Sequence, residues 1–137
     1  MRAPEELPGF KVYTALVGLY ALLWIALEGN LVRVTVLACA VTVWLVAAVF
    51  RRWIARRQFG LASWIAVCGA LGAIGGFSGA MLTLLFMALK TGLHAHGPEF
   101  SPAQIAWVLR QAPWWTSAGL LVGMGLAMIV FVLHRES

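Results

Sequence analysis

Aspartate is absent from this 137-residue chain, and charged residues make up only 11% of it. A soluble chain is ordinarily about a quarter charged, so the shortage excludes the usual water-facing surface. Charge is missing where coupling chemistry would need it as well. The long apolar runs hold at most one charged residue each, Lys11 or Arg33, and that residue stands near an end. Transporters and pumps normally carry ionisable or paired polar groups at mid-depth. There is no Ser-His-Asp set, phosphate-binding loop, GxGxxG, Cys-x-x-Cys or carboxylate pair, and enzymatic activity is not expected. With only two cysteines, Cys39 and Cys68, both inside apolar runs, a disulfide framework is excluded. Both thiols are expected to be free, buried, and to act as small apolar side chains.

What is present is hydrocarbon. The chain is 62% hydrophobic with a mean hydropathy of +0.89. Four apolar runs, Phe10–Leu27, Leu31–Phe50, Leu61–Leu89 and Thr116–Leu133, fill most of it. Crossing a bilayer takes roughly 20 apolar helical residues, and irregular backbone cannot face lipid with its polar groups unpaired. The pattern predicts an all-α fold, an integral membrane four-helix bundle of two helical hairpins forming one domain over 1–137. The spans are expected near 10–28, 31–50, 61–89 and 116–134. Gly29-Asn30 is a turn signal short enough to force an antiparallel hairpin, with Glu28 and Arg33 flanking it as a possible pair. The third run is longer than the apolar core, so its helix must tilt, bend or emerge into the outer interface, and Gly75-Gly76 is the natural place for a bend. The first span is expected to stay as an uncleaved anchor, since no signal-cleavage pattern follows it.

The only long connection runs from Thr91 to Trp115. Ser101, Pro102 and Gln104 form a helix-start signature, and Ile105, Val108, Leu109 and Ala112 recur on one stripe. The prediction is a short amphipathic helix over 101–111 lying on the outer membrane surface, ended by Pro113. Trp114-Trp115 would anchor the entry to the last span, and Trp53 and Trp64 would form an interfacial belt at the other end.

The net charge of +5 is concentrated beside a span, in Arg51, Arg52, Arg56 and Arg57. Such residues act as topological signals and anionic lipid contacts rather than as a nucleic-acid surface. Seven basic residues (Arg2, Lys11, those four and Arg135) fall on one side against Arg33, Lys90 and Arg110 on the other. This bias predicts both termini in the cytoplasm, and the expected location is the cell (inner) membrane.

Small residues supply the clearest pattern. Gly69, Gly72, Gly76 and Gly79 keep to one face of the third run, with Ala62 and Ala66 extending the stripe. Gly119, Gly123 and Ala127 form a second stripe in the fourth. In lipid, helices associate by close backbone approach, which small side chains permit. The two stripes either pack on each other or dock another subunit. The expected function is that of a structural or accessory subunit, self-associating or joined to a larger membrane complex, with membrane lipids as its other partner.

Two alternatives come from other classes. One is an oligomeric channel or small-solute carrier, its lining built from glycine backbone and Ser78. The other is an outer-face metal binder or pH sensor using His94, His96 and Glu99, whose side chains suit a divalent cation. Three ligands fall short of a closed zinc site, and His134 lies across the bilayer from the pair, so no cofactor is predicted. In size the chain is similar to small multidrug transporters and fluoride channels. Neither family's motifs are present: the first span has no mid-membrane glutamate and the polar pore residues are missing.

Overall fold

A computed structural model describes residues 9–27, 29–55, 57–93 and 99–136. Every regular element among them is helical. Helix α1 spans Phe10–Ala26 and α2 spans Leu31–Val49, running on into a π-helical turn at Phe50–Ile54. Helix α3 spans Leu61–Leu93 and α4 spans Pro102–Glu136. Three helices are long and apolar enough to cross a membrane: Leu31–Ile54, Leu61–Leu93 and Pro102–Leu133. Four full-length spans were expected; α1 is apolar but has only 17 residues. At 1.5 Å per residue it is about 25 Å long, at the lower limit for a span.

The α1–α2 hairpin forms where the Gly-Asn signal lies. Asn30 caps α2, its side-chain oxygen accepting from the Val32 N–H at 2.8 Å and from Arg33 at 3.4 Å. That satisfies donors the first helical turn would otherwise leave unpaired. Glu28, the expected partner of Arg33, lies outside the described residues. The helices are tied in antiparallel register by side chains. The Tyr13 hydroxyl donates to the Ala40 carbonyl at 2.8 Å, and the Trp44 indole N–H donates to Thr14 Oγ1 at 2.9 Å.

The second hairpin differs from the expectation at its return strand. In place of a surface helix over 101–111 ended by Pro113, α4 is one helix of 35 residues with Pro113 inside it. The start signature holds: Ser101 N–H donates to Gln104 Oε1 at 2.8 Å, and Gln104 N–H donates to Ser101 Oγ at 3.3 Å. Two causes keep the helix intact past the proline. Proline removes one intrahelical hydrogen bond, but packing can hold the axis where lipid or protein excludes competing water. Val108 and Ala112 lie buried before it, and Gly119 and Gly123 seat against α3 after it. The apolar stripe read for the surface helix is split accordingly. Val108 and Ala112 face inward, while Ile105 and Leu109 are exposed.

Helix α3 is likewise one unbroken helix across Gly75-Gly76. Those glycines are used for contact: a Cβ on Gly75 would meet Val46 at 3.1 Å, and one on Gly76 would strike the Trp115 carbonyl. The polar punctuation places the chain so that α2 packs on α3 and α4 pairs with α3 along its length. One buried cluster (Trp24, Val34, Leu37, Met87, Phe100, Val108) closes the end where α1 meets α2. A second, of Ile54, Trp64 and Ala127, closes the opposite end. Trp64, expected in an interfacial belt, is only 3% exposed and belongs to this core, whereas Trp53 is 61% exposed. Cys39 and Cys68 are free. Cys39 is exposed on the helix surface rather than buried in the bundle.

Candidate functional site

The glycine residues fix how α3 and α4 meet. Gly76 opposes Trp115, Gly72 opposes Gly119, and Gly123 opposes Cys68, each through backbone. The next step of four brings Trp64 to Ala127, whose carbonyl accepts the indole N–H at 3.1 Å. A Cβ on Gly72, Gly76, Gly119 or Gly123 would run into a backbone carbonyl of the partner helix. Backbone approach of this kind sets up Cα–H···O contacts that larger side chains would prevent. Gly69 makes a looser contact, 2.9 Å from a built Cβ to Met124 Cγ, and Gly79 meets Thr42 and the Trp115 ring. Ala127 is buried, while Ala62 and Ala66 are exposed and do not extend the seam. The seam therefore faces α4 inside the chain, which removes it as a docking face for a second subunit.

A buried cation lies at the other end of the bundle. Lys90, on the last turn of α3, is fully buried. Its Nζ donates to the carbonyls of Trp24 at 3.1 Å, Ile25 at 2.8 Å and Leu27 at 2.5 Å. An ammonium has three protons and the last turn of a helix has carbonyls without partners, so the two needs match. The positive charge also meets the negative end of the α1 dipole. The Trp24 ring lies 5.1 Å from Nζ at its centroid, in cation–π range. Trp24 in turn tilts against Phe86, 5.8 Å between centroids. Near this corner the Glu99 carboxylate packs directly on Gly29 in the α1–α2 turn, where a side chain would collide with it.

Lys90 was read from sequence only as one of three basic residues on its side. The available signal was its position: a single lysine closing the longest apolar run, one turn inside the helix end. What it would touch could not be read, since its acceptors come from more than sixty residues earlier.

Hydroxyls within the helices are mostly satisfied locally. Thr83 donates to Gly79 O at 2.8 Å, Thr116 to Ala112 O at 2.8 Å and Ser117 to Pro113 O at 2.9 Å. The last two sit beside the turn that proline weakens. Thr42 Oγ1 and Trp24 Nε1 are buried with no hydrogen bond among the described residues. Ser78, named for a pore lining, is half-buried, and a Cβ on the nearby Gly75 would meet Val46 and Thr42 on α2.

His94 and His96 lie outside the described residues, as does Arg56. Of the metal or pH-sensing trio only Glu99 is described. Arg51, Arg52 and Arg57 are exposed. No group of three metal-ligating side chains occurs among the described residues. No protein-family model, no curated protein and no solved structure matches the chain.

Proposed function

We propose that the protein is a small multi-pass membrane protein with a structural or accessory role, exerted by helix packing against another membrane component or a second copy of itself. The observation that carries this reading is the consumption of in-helix polar groups by the fold. Lys90 is taken up by three carbonyls of α1, and Thr83, Thr116 and Ser117 by their own helices. Thr42 Oγ1 and Trp24 Nε1, buried without a hydrogen bond among the described residues, carry no charge with which to couple ion or proton movement.

Of the three long helices, α4 is left most open. Only 6% of its apolar window is buried, against 22% for α2 and for α3. A Cβ at Gly125 on α4 would meet nothing within 4 Å, so this face admits close approach by another helix. The charge bias supports a cytoplasmic position for the basic end, and with it both termini.

The test is cross-linking and sizing of the full chain in native membranes. Single cysteines at Leu121 and Gly125, in a Cys39→Ser, Cys68→Ser background, are expected to cross-link to a second copy or to one discrete partner. Leu121→Trp is expected to shift the native size. Recovery of only uncross-linked monomer would refute the reading, and so would ion or solute flux through liposomes carrying the purified protein.

A further inference from the structure

The end of the bundle opposite Lys90 gathers exposed positive charge from two helices. Because α1 and α2 are antiparallel, the first turn of α1 stands beside the π-helical turn that ends α2. Lys11, Arg51 and Arg52 are exposed there, and Arg57 follows in the link to α3. Among the described residues Arg51 is held by an aromatic ring rather than by a carboxylate. Its Cζ lies 4.5 Å from the centroid of Phe10, and Phe10 stacks on Trp44 at 6.3 Å and 14° between planes. Trp53, between the basic residues, is 61% exposed. Among the described residues no carboxylate pairs with any of these four cations.

We propose that this surface is a binding site for the phosphate-bearing headgroup of anionic phospholipids. Lys11, Arg51 and Arg52 would surround the headgroup from two helices, with Phe10 and Trp53 beneath and beside it. Three arguments favour a lipid. Among the described residues the charge there is of one sign and three of its four members are arginines, whose planar fork matches phosphate oxygens. Exposed tryptophan next to basic residues is the composition of a membrane–water boundary. The apolar helices also place these groups at headgroup depth, where lipid phosphate is concentrated and a soluble anion is not. From sequence the arginines are already read as anionic lipid contacts; the hairpin brings Lys11 beside them and adds the ring that orients Arg51. This inference rests on the chain being membrane-embedded and not on its having a protein partner.

The experiment uses the full chain in mild detergent, titrated with phosphatidylglycerol or phosphatidylcholine and read by native mass spectrometry for retained lipid. Each basic residue at an anionic surface is worth about fivefold in binding. Wild type is expected to retain phosphatidylglycerol preferentially, and Arg51→Gln/Arg52→Gln is expected to lower that preference by more than about tenfold. Lys11→Gln/Arg52→Gln, which spares the Phe10 contact, tests the same point should the first variant fold poorly. Arg110→Gln, exposed on α4 away from this end, is expected to behave as wild type. Equal retention of the two lipids by wild type would overturn the proposal, as would variants that keep the preference. Displacement of phosphatidylglycerol by equimolar inorganic phosphate would also overturn it, making this a soluble-anion site.

Discussion

Replacing Lys90 by methionine keeps most of the side-chain volume and removes the ammonium. Two opposing effects decide the outcome. A buried ion exchanged for an apolar side chain often leaves stability unchanged or raises it, because the desolvation cost of the charge disappears. Here the exchange is one-sided. The carbonyls of Ile25 and Leu27 lose donors at 2.8 and 2.5 Å, and Trp24 keeps only its long bond from the Leu27 N–H at 3.3 Å. Unsatisfied buried acceptors cost about 1–3 kcal/mol each in water-soluble proteins, and interhelical hydrogen bonds in membranes are worth about 0.6–2 kcal/mol. The cation–π contact with Trp24 adds about 0.5–2 kcal/mol. Summing these with partial compensation from desolvation gives an expected loss of about 2–4 kcal/mol. The loss should be concentrated in α1, which α3 holds through this lysine and through Phe86 and Met87 against Trp24. The assay is reversible unfolding in bicelles, together with hydrogen exchange over residues 20–27. Lys90→Ala should lose at least as much and be partly restored by added methylammonium, which returns a cation to the three carbonyls. A Lys90→Met protein as stable as wild type, with unchanged exchange in α1, would refute the reasoning.

Gly72→Ala is expected to destabilise by about 1–3 kcal/mol, since its Cβ meets the Gly119 carbonyl and the helices must separate. Gly125→Ala, with open space around it, should stay within about 0.5 kcal/mol of wild type, and the contrast can be read in one unfolding series. Trp64→Phe keeps the ring packing against Phe50 and Phe59 but removes the bond to Ala127 O. A loss of about 0.5–1.5 kcal/mol is expected in the same assay. Thr42→Val replaces a buried hydroxyl that has no hydrogen bond among the described residues and should be neutral or stabilising by up to about 1 kcal/mol. A marked loss there would mean that the hydroxyl has a partner.

Local signals in this chain were read correctly where the cause was local. Gly29-Asn30 marks the α1–α2 turn and Ser101 with Gln104 starts α4, because such signals need only a few neighbouring residues. The spacing of Gly72 and Gly76 announced close packing, but a stripe does not say what lies across from it. The fold resolved that in favour of α4. Pro113 was misread for the same reason. Its local effect is to end a helix, and contacts on both sides along α3 carry the helix through. Trp64 looked like a boundary residue from its place beside the basic link, yet the Ala127 carbonyl draws its indole inward.

Composition and the length of its apolar runs determined that this chain is all helical and made for lipid, since a backbone with no water to bond must bond itself. The antiparallel pairing of the first hairpin followed from the shortness of its connection at Gly29-Asn30. Which faces are spent inside the molecule was decided by tertiary structure alone. The glycine seam, the tryptophan bond and the buried lysine each join residues far apart in the chain. Their energies depend on an acceptor or a backbone surface that no local pattern specifies.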